Sequence, residues 1–325
     1  MKNLEMNKSF QHPDLHPRKQ FNTKQNLDRF GFSFVLRNYC GLKQRRRSFC
    51  SWMHGVPWWD EDLDIADLIG PFDFNNKLNI VVINEIQKSL CHEHGYKNVF
   101  ASGAPILYTP TIEIKRNPNV LVAFIAHSAE QESKDVTDKL YLDFLESQLN
   151  DFEEIYVSVF SLDIHPTLIN EINKRNLKIY QGADPRDRYS LERMQALLKY
   201  AGYVSSNCMG GSVAYAMHFG CQVSLFEDIF ESDQSRKLKS GWSLDDVSRI
   251  EYVHSKKYLI EKFPYLFVPI KESKKNISLG NEICGSKFKM SPEQSLIAAG
   301  WDLSNQLEGY YSGFRNRLKG LINFQ

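Results

Sequence analysis

The feature that most constrains the fold is a regular alternation of apolar runs and amphipathic segments between residues 120 and 226. Val120–Ala126 is continuously apolar, as is typical of a strand buried on both faces of a sheet. Parallel strands need long crossovers, and the segments between the runs have that length and helical periodicity. The predicted strands are 120–126, 155–160, 177–180, 203–204 and 222–226, and the predicted helices are 135–149, 165–175, 190–200 and 211–219. We therefore predict an α/β fold with a doubly wound parallel sheet.

A shorter α/β unit precedes this sheet. Asn79–Asn84 predicts a buried strand, followed by a helix to His94 that stops at Gly95, and Lys97–Ser102 predicts a further strand. Residues 109–118 carry two prolines and no sustained periodicity, which indicates a domain boundary. The predicted organisation is a loosely ordered lead-in at 1–30, a short first lobe at 31–112, a Rossmann-like domain at 113–290, and a helical tail at 291–325 that packs back on the first lobe.

Composition excludes several classes of function. The 325 residues include 40 basic and 39 acidic side chains, so overall charge gives no attraction to nucleic acid. The six cysteines are scattered without a CxxC pair, which argues against a zinc site or a disulfide framework and favours a cytoplasmic setting. No apolar run approaches the roughly 20 residues of a membrane helix. We expect no metal and no cofactor beyond a co-substrate.

The segment Val204–Gly220 predicts a strand end, a small polar turn and a helix. Backbone N–H groups at a helix start lack intrahelical partners and carry the positive end of the helix dipole, so they bind phosphate. Glycines allow a ligand close to the main chain, and serine hydroxyls add donors. The predicted phosphate-binding residues are Ser205, Ser206, Asn207, Gly210, Gly211 and Ser212. The alternative is an ordinary turn in which a serine or asparagine caps the helix.

Other polar residues follow the remaining predicted strands. His127 ends the first strand of the second lobe, Ser161 follows the second, and 182–184 follow the third. Ligands of doubly wound sheets bind at these carboxyl ends. Arg186 or Arg188 suits a phosphate, and Glu192 suits a ribose or sugar hydroxyl. Asp184, Arg186 and Glu192 are therefore candidate donor-binding residues, with an acidic helix-capping segment as the alternative.

Three short motifs resemble GT-B-type glycosyltransferases and glycerophosphotransferases of bacterial capsule, teichoic-acid or lipopolysaccharide synthesis. Trp52-Met53-His54-Gly55-Val56-Pro57 is similar to the WHGxP turn of teichoic-acid polymerase relatives, although Met53 interrupts it. Lys97–Val99 with Gly103–Pro105 resembles the end of their first domain. The serine turn resembles their donor-phosphate motif, with Asn207 in place of a frequent aspartate. The resemblance covers about residues 45–226.

This resemblance implies a GT-B-like fold, with two lobes around a cleft and a short first lobe. It implies a metal-independent glycosyltransferase that moves a sugar from a nucleotide-sugar to a surface-polysaccharide acceptor, the asparagine favouring a sugar donor over glycerophosphate. The hexosyl and sialyl or Kdo types stay open. Two alternatives remain: a nucleotide-sugar epimerase-like isomerase, and a non-catalytic GT-B-like protein of a polysaccharide assembly complex.

A transferase of this kind needs a base for the acceptor hydroxyl, and histidine has a pKa near neutrality. His54 is the first candidate and His127 the second, which suits donor phosphate equally well. Trp52, Trp58 and Trp59 flank His54 as an acceptor platform. His165-Pro166 is a weaker phosphate candidate, because such a pair commonly starts a helix. Reaction then requires the two lobes to close about residues 109–118.

A basic run precedes the tryptophans. A basic run is usually a solvated surface, and here it consists of Lys43, Arg45, Arg46 and Arg47. The alternative is peripheral contact with the inner face of the cell membrane, or with an anionic acceptor, which suits lipid-linked saccharides.

Overall fold

The computed structural model describes residues 30–43, 48–52, 55–69, 79–126, 131–160, 166–228, 243–307 and 311. Several sequence predictions fall elsewhere. His54, His127, Ser161, His165, Arg45, Arg46 and Arg47 lie outside the described residues, as do nearly all of the lead-in and about half of the tail.

The first sheet has three parallel strands in the order β1-β2-β3, with β1 at Cys50–Trp52, β2 at Asn79–Val82 and β3 at Val99–Ala101. Its helices are α1 (Phe32–Tyr39), α2 (Ile65–Ile69) and α3 (Glu85–Glu93). The side chain of Asn84 accepts a hydrogen bond from Gln87 N at 2.9 Å and so caps α3. Strands β2 and β3 and helix α3 were predicted, whereas β1 and α1 were not.

The second sheet has five parallel strands in the order β6-β5-β4-β7-β8. The strands are β4 (Asn117–Phe124), β5 (Glu154–Val159), β6 (Lys178–Gln181), β7 (Ala201–Ser206) and β8 (Gln222–Leu225). The crossover helices are α4 (Gln131–Ser147), α5 (Pro166–Lys174), α6 (Ser190–Tyr200) and α7 (Gly211–His218). The prediction of an α/β fold with two parallel sheets, the first of them small, is confirmed.

Residues beyond β8 return to the first sheet through α8 (Leu244–His254), α9 (Lys256–Lys262), α10 (Ile277–Ile283) and α11 (Pro292–Ala298). Helix α10 crosses α7 so closely that a Cβ on Gly280 would overlap the backbone at His218. Ala104 N then donates to Cys284 O at 2.8 Å, and Phe49 N donates to Ala299 O at 3.1 Å. The segment up to residue 301 therefore ties the second unit to the first.

Strand β4 divides the apolar interior between two clusters because its side chains alternate in direction. Val120, Val122 and Phe124 face a cluster that continues through the first sheet to Trp301. Leu121 and Ala123 face a second cluster beneath α4 and α5. A large apolar contact between units resists their relative motion. The two units share this cluster, and closure of the lobes about residues 109–118 stays a prediction.

Candidate functional site

The chain reverses its direction of strand addition between β4 and β7. Strands β5 and β6 are added on one side of β4, whereas β7 and β8 are added on its other side. The carboxyl ends at such a reversal leave a crevice in which doubly wound proteins bind ligands. Ala126 and Asn207 lie at this point, so the predicted serine turn stands where the topology places a site.

Two of the predicted phosphate-binding side chains hold the strand ends together. Asn207 is fully buried, and its Oδ1 accepts from Ala126 N at 2.7 Å. Ser206 Oγ donates to Phe124 O at 3.1 Å and accepts from Cys208 N at 3.3 Å. These hydrogen bonds hold the carboxyl ends of β4 and β7 together beneath the turn. The Asn207 Nδ2 donor is buried with no hydrogen-bond partner within the described ranges, and an unpaired buried donor costs about 1–3 kcal/mol.

Ser205 lies inside the sheet rather than on the crevice. Its Oγ is buried and has no hydrogen-bond partner among the residues described here. Burial raises the pKa of Tyr141 on α4, and the neighbouring Ser205 hydroxyl acts in the opposite direction. Ser205 therefore contributes to the α4 side of the sheet, where a ligand on the α7 turn does not reach without rearrangement.

The start of α7 is the accessible part of the turn. Gly210 has extended backbone, with φ −172° and ψ −179°, which any residue adopts. A Cβ on Gly210 would meet no atom of the described residues within 4 Å, so these residues leave space beside it. Ser212 follows in the first helical turn and is half-buried. This arrangement offers first-turn N–H groups and one hydroxyl to an anion.

Val56, in the turn after β1, lies beside Gly211, the first residue of α7. A Cβ on Gly211 would lie 3.6 Å from Val56 Cγ2, and Val56 is 3% exposed. Gly55 has φ +104°, in the left-handed region that favours glycine, and this conformation sets the path of the chain towards Val56. The two motifs singled out in the sequence, one from each unit, therefore meet.

The three predicted platform tryptophans separate into two environments. Trp52 is 2% exposed and packs against Phe32 and Tyr108, so it belongs to the core and offers no face to a saccharide, which corrects the prediction. Trp58 and Trp59 are half-buried, and both contact the ring of His254. Only these two remain candidates for an acceptor surface.

A buried carboxylate anchors the tryptophan pair. Asp67 Oδ2 accepts from Trp59 Nε1 at 3.0 Å and from Asp64 N at 3.1 Å. The guanidinium of Arg249 on α8 binds both carboxylate oxygens, with Nη2 at 3.0 Å from Oδ1. The sequence analysis missed both residues, since they are far apart along the chain and belong to no motif.

The loop between β6 and α6 forms another side of the site. Asp184 is 4% exposed and accepts from Arg186 N at 2.8 Å, closing a local turn. Asp187 pairs with Arg193 in the interior. Asp184 is thus structural, and it also pairs with the Arg186 side chain, which is 49% exposed and whose Nε lies 3.6 Å from Asp184 Oδ1.

This loop also contacts the first unit. Phe30 N donates to Pro185 O at 3.1 Å. Gly31 has φ +80°, and a Cβ there would overlap the carbonyl of Arg188. The Arg188 guanidinium lies 5.1 Å from the ring centroid of Phe34 on α1. Residues 30–39, which the sequence analysis did not include in the site, therefore close this side.

Glu192, in the first turn of α6, has a carboxyl group whose pKa is shifted towards neutral pH. Burial raises the pKa of its carboxyl to about 6, and the charge of Asp187 acts in the same direction, while Arg193 and Arg188 oppose it. A carboxyl with such a pKa exchanges protons near neutral pH. Glu192 is therefore suited either to binding a hydroxyl or to proton transfer.

Glu192 predicts a pH dependence of stability. The folded protein binds the proton more tightly than the unfolded chain, so this stabilisation is present below about pH 4.5 and is lost as the pH rises through about 6. We expect the thermal midpoint of Glu192→Gln to fall less than that of the native protein between about pH 5 and pH 7. Glu261→Gln, at an exposed position, serves as control. If plots of thermal midpoint against pH coincide for the native protein and both variants, burial of Glu192 does not cause the pH dependence.

Comparison with protein-family models and with curated proteins finds no match. Among solved structures, S. aureus MnaA with UDP is 13% identical over 82% of this chain and 80% of its own, with a TM-score of 0.38. S. aureus TarM with UDP, alpha-GlcNAc-glycerol and fondaparinux is 13% identical over 81% of this chain and 50% of its own, with a TM-score of 0.30. The UDP-GlcNAc 2-epimerase of Methanocaldococcus jannaschii is 15% identical over 64% and 60%, with a TM-score of 0.32.

The chain therefore spans half the length of TarM and 60% of that of the epimerase. Similarity at this level carries no argument about activity, which has to rest on the site itself. Within the described residues, no helix is long and apolar enough to cross a membrane. The same part of the chain holds no group of three or more His, Cys, Asp and Glu side chains arranged for a metal ion.

Proposed function

We propose that this chain is a glycosyltransferase that takes its sugar from a nucleotide-sugar and transfers it to a saccharide or lipid-linked saccharide of the surface-polysaccharide type. The observation that carries the proposal is the position of Val56 beside Gly211 at the start of α7, where a Cβ on the glycine would lie 3.6 Å from Val56 Cγ2. It brings a turn with a candidate base and two tryptophans to a turn with the chemistry of a phosphate site. Group transfer from a nucleotide-sugar needs both within reach of one sugar ring.

The donor diphosphate would bind at the open space beside Gly210. First-turn N–H groups of α7 and the Ser212 hydroxyl would donate to its oxygens, which carry the charge that develops as the sugar–oxygen bond breaks. Arg186, half-exposed on the neighbouring loop, would supply a positive charge. Glu192 would accept from a ribose or sugar hydroxyl. Ser206 and Asn207 would act by holding the strand ends beneath this turn.

The acceptor would enter from the side of Trp58 and Trp59. His54 precedes Val56 by two residues in the sequence. Its imidazole would take the proton of the acceptor hydroxyl as that oxygen bonds to the sugar carbon. The bond between that carbon and the donor phosphate oxygen breaks, and the nucleotide leaves with the electron pair of that bond on its phosphate oxygen.

An epimerase-like isomerase is the second candidate, and the raised pKa of Glu192 favours it, since a carboxyl that titrates near neutrality can move a proton at a sugar carbon. The two activities separate in heavy water. An isomerase incorporates solvent deuterium into the recovered nucleotide-sugar without an acceptor, whereas the proposed transferase releases nucleotide only when an acceptor is present. A protein that binds nucleotide and does neither would support the non-catalytic alternative.

The donor site is tested by filling the space beside Gly210. We expect Gly210→Leu to keep the native thermal midpoint, because its backbone is extended and the space is open, and to abolish the stabilisation that UDP, GDP, CMP or CDP gives the native protein. Ser212→Ala should weaken the same nucleotide about tenfold, as for one hydrogen bond to a charged group. Thermal unfolding with and without nucleotide measures the stabilisation, and calorimetric titration measures the affinity.

Ser248→Ala, at an exposed position of α8, is the matched control for Ser212→Ala. Full nucleotide affinity in folded Gly210→Leu would place the phosphates elsewhere. Ser206→Ala is unsuitable for this purpose, because it removes buried hydrogen bonds and so changes stability.

A further inference from the structure

Residues 112–116, in the segment between the two units, form one wall of a cavity with a volume of about 490 Å³. The other wall consists of Lys199, in the last turn of α6, and Phe219, which directly follows α7. Helix α7 has 8 residues, and a helix rises about 1.5 Å per residue, so the cavity lies about 12 Å from Gly210 at the opposite end of α7. It is therefore separate from the crevice at the carboxyl ends of the strands.

Two basic side chains fasten this segment to the second unit. Lys199 Nζ donates to Ile112 O at 2.7 Å. Arg116 Nη2 donates to Phe219 O at 2.6 Å, and its Nη1 donates to Ala201 O. Ala201 and Phe219 end α6 and α7, so the guanidinium lies at the negative ends of two helix dipoles. These hydrogen bonds fix two positive charges on the wall of the cavity.

Two further cations lie nearby. Lys115 lines the cavity and is exposed. Burial raises the pKa of the Cys221 thiol, and the charges of Arg116 and Lys275 act in the opposite direction. Lys275 also bridges the backbone of Gln222, which places it beside Cys221. Four positive charges therefore surround the base of the cavity.

The protein offsets only part of this charge. Within the described ranges none of these four cations forms an ion pair with a carboxylate, and the cavity lining contains a single acidic side chain, the exposed Glu113. Each helix end is equivalent to about half a negative charge, so the two ends and Glu113 together offset about two of the four positive charges. The remaining excess matches a dianion.

The rest of the lining is apolar. Ile112, Ile114 and Phe219 are each half-buried and border the cavity. Sites for small molecules generally have volumes of about 300–1,000 Å³, far more than a free phosphate ion fills, and combine apolar walls with a few polar groups. An occupant that satisfies both parts of this lining has a doubly charged group and an apolar body.

We propose that this cavity binds a phosphate monoester, with its phosphate among Lys115, Arg116 and Lys199 and its body against Phe219. An ammonium group has three donors, and Lys199 spends one of them on Ile112 O, which leaves two for phosphate oxygens. The bound ester joins the segment between the units to the ends of α6 and α7. This site does not depend on whether the chain transfers a sugar.

Calorimetric titration with phenyl phosphate tests the proposal. We expect saturable binding, at least about tenfold tighter than that of inorganic phosphate, because the ring covers apolar surface. Lys115→Glu should weaken binding about tenfold or more, since a repulsive charge replaces an attractive one, and this difference should shrink in high salt. Lys199→Gln should weaken it about tenfold, as for one hydrogen bond to a charged group.

Two controls make the result specific to this cavity. Lys257→Glu, at an exposed position of α9, should bind phenyl phosphate as the native chain does. Gly210→Leu should also keep full affinity, because it fills only the proposed donor site at the other end of α7. Repeating the lysine variants in the Gly210→Leu chain removes any contribution from the donor site, so failure of one proposal is distinguishable from failure of the other.

Several results would overturn the proposal. They are no binding to Gly210→Leu, equal affinity for phenyl phosphate and inorganic phosphate, and equal weakening by Lys115→Glu and Lys257→Glu. Lys199→Gln removes the hydrogen bond to Ile112 O, so circular dichroism melts establish whether it is folded. Lys115→Glu decides the outcome in either case, because its side chain is exposed and forms no hydrogen bond to another described residue.

Discussion

Replacing His54 with alanine is expected to lower turnover by about 10²–10⁴-fold while leaving nucleotide affinity nearly unchanged. The imidazole would act on the acceptor proton, which moves only during the chemical step, whereas the donor would bind through the α7 turn. Steady-state release of nucleotide in the presence of acceptor measures turnover, and calorimetric titration measures affinity. A fall in affinity equal to the fall in turnover would instead make His54 a donor-binding residue.

Two further histidine variants make this result specific. His92 is exposed on α3, with its Nδ1 2.8 Å from Tyr96 O, and His92→Ala should keep full turnover. His127 follows β4 in the sequence and is the competing candidate base. If His127→Ala loses turnover at constant affinity, and His54→Ala only lowers the thermal midpoint, the base is His127.

The largest stability effect is expected for Asp67→Ala, which should lower the free energy of unfolding by about 3–5 kcal/mol. The change leaves the Arg249 guanidinium without its bidentate partner and removes the acceptor of Trp59 Nε1. Denaturant unfolding, monitored by tryptophan fluorescence, measures the loss. Turnover measured well below the unfolding transition should fall as well, since Asp67 positions the tryptophan pair.

Glu61→Ala is the matched control. Glu61 pairs with Lys262 across the same contact between the segment before α2 and the helices after β8, but its side chain is 80% exposed. Exposed ion pairs contribute little to stability, because water and salt screen them, so this variant should be close to native. Equal losses for the two variants would mean that burial of Asp67 contributes nothing to its effect.

Much of the second sheet was predictable because its information is local. Each strand is an apolar run and each crossover has helical periodicity, so pattern alone places α6 and α7 within a residue of their observed bounds. Strand β1 was missed for the same physical reason. Cys50–Trp52 is too short to show a period, and it becomes a strand only because Trp52 pairs with Val81 of β2.

Side-chain roles were less predictable than elements. Serine, asparagine and glycine in one turn are compatible with phosphate binding and with holding strand ends, and the sequence does not distinguish them. In the fold, Ser206 and Asn207 bond to the end of β4, while Gly210 and Ser212 remain accessible. The tryptophans separate likewise, because register places Trp52 in the core.

By itself, then, the sequence determined the α/β class, the parallel second sheet and the turn at its switch point, since periodicity and turn residues act over a few positions. Only the tertiary structure decided that Val56 meets Gly211, that Arg249 anchors Asp67, and that Ser48 holds Trp301. Each of these contacts joins segments far apart in the chain, and the last two exist because the chain after β8 returns to the first unit. No local pattern records such a contact, since its free energy belongs to the packed pair and not to either segment.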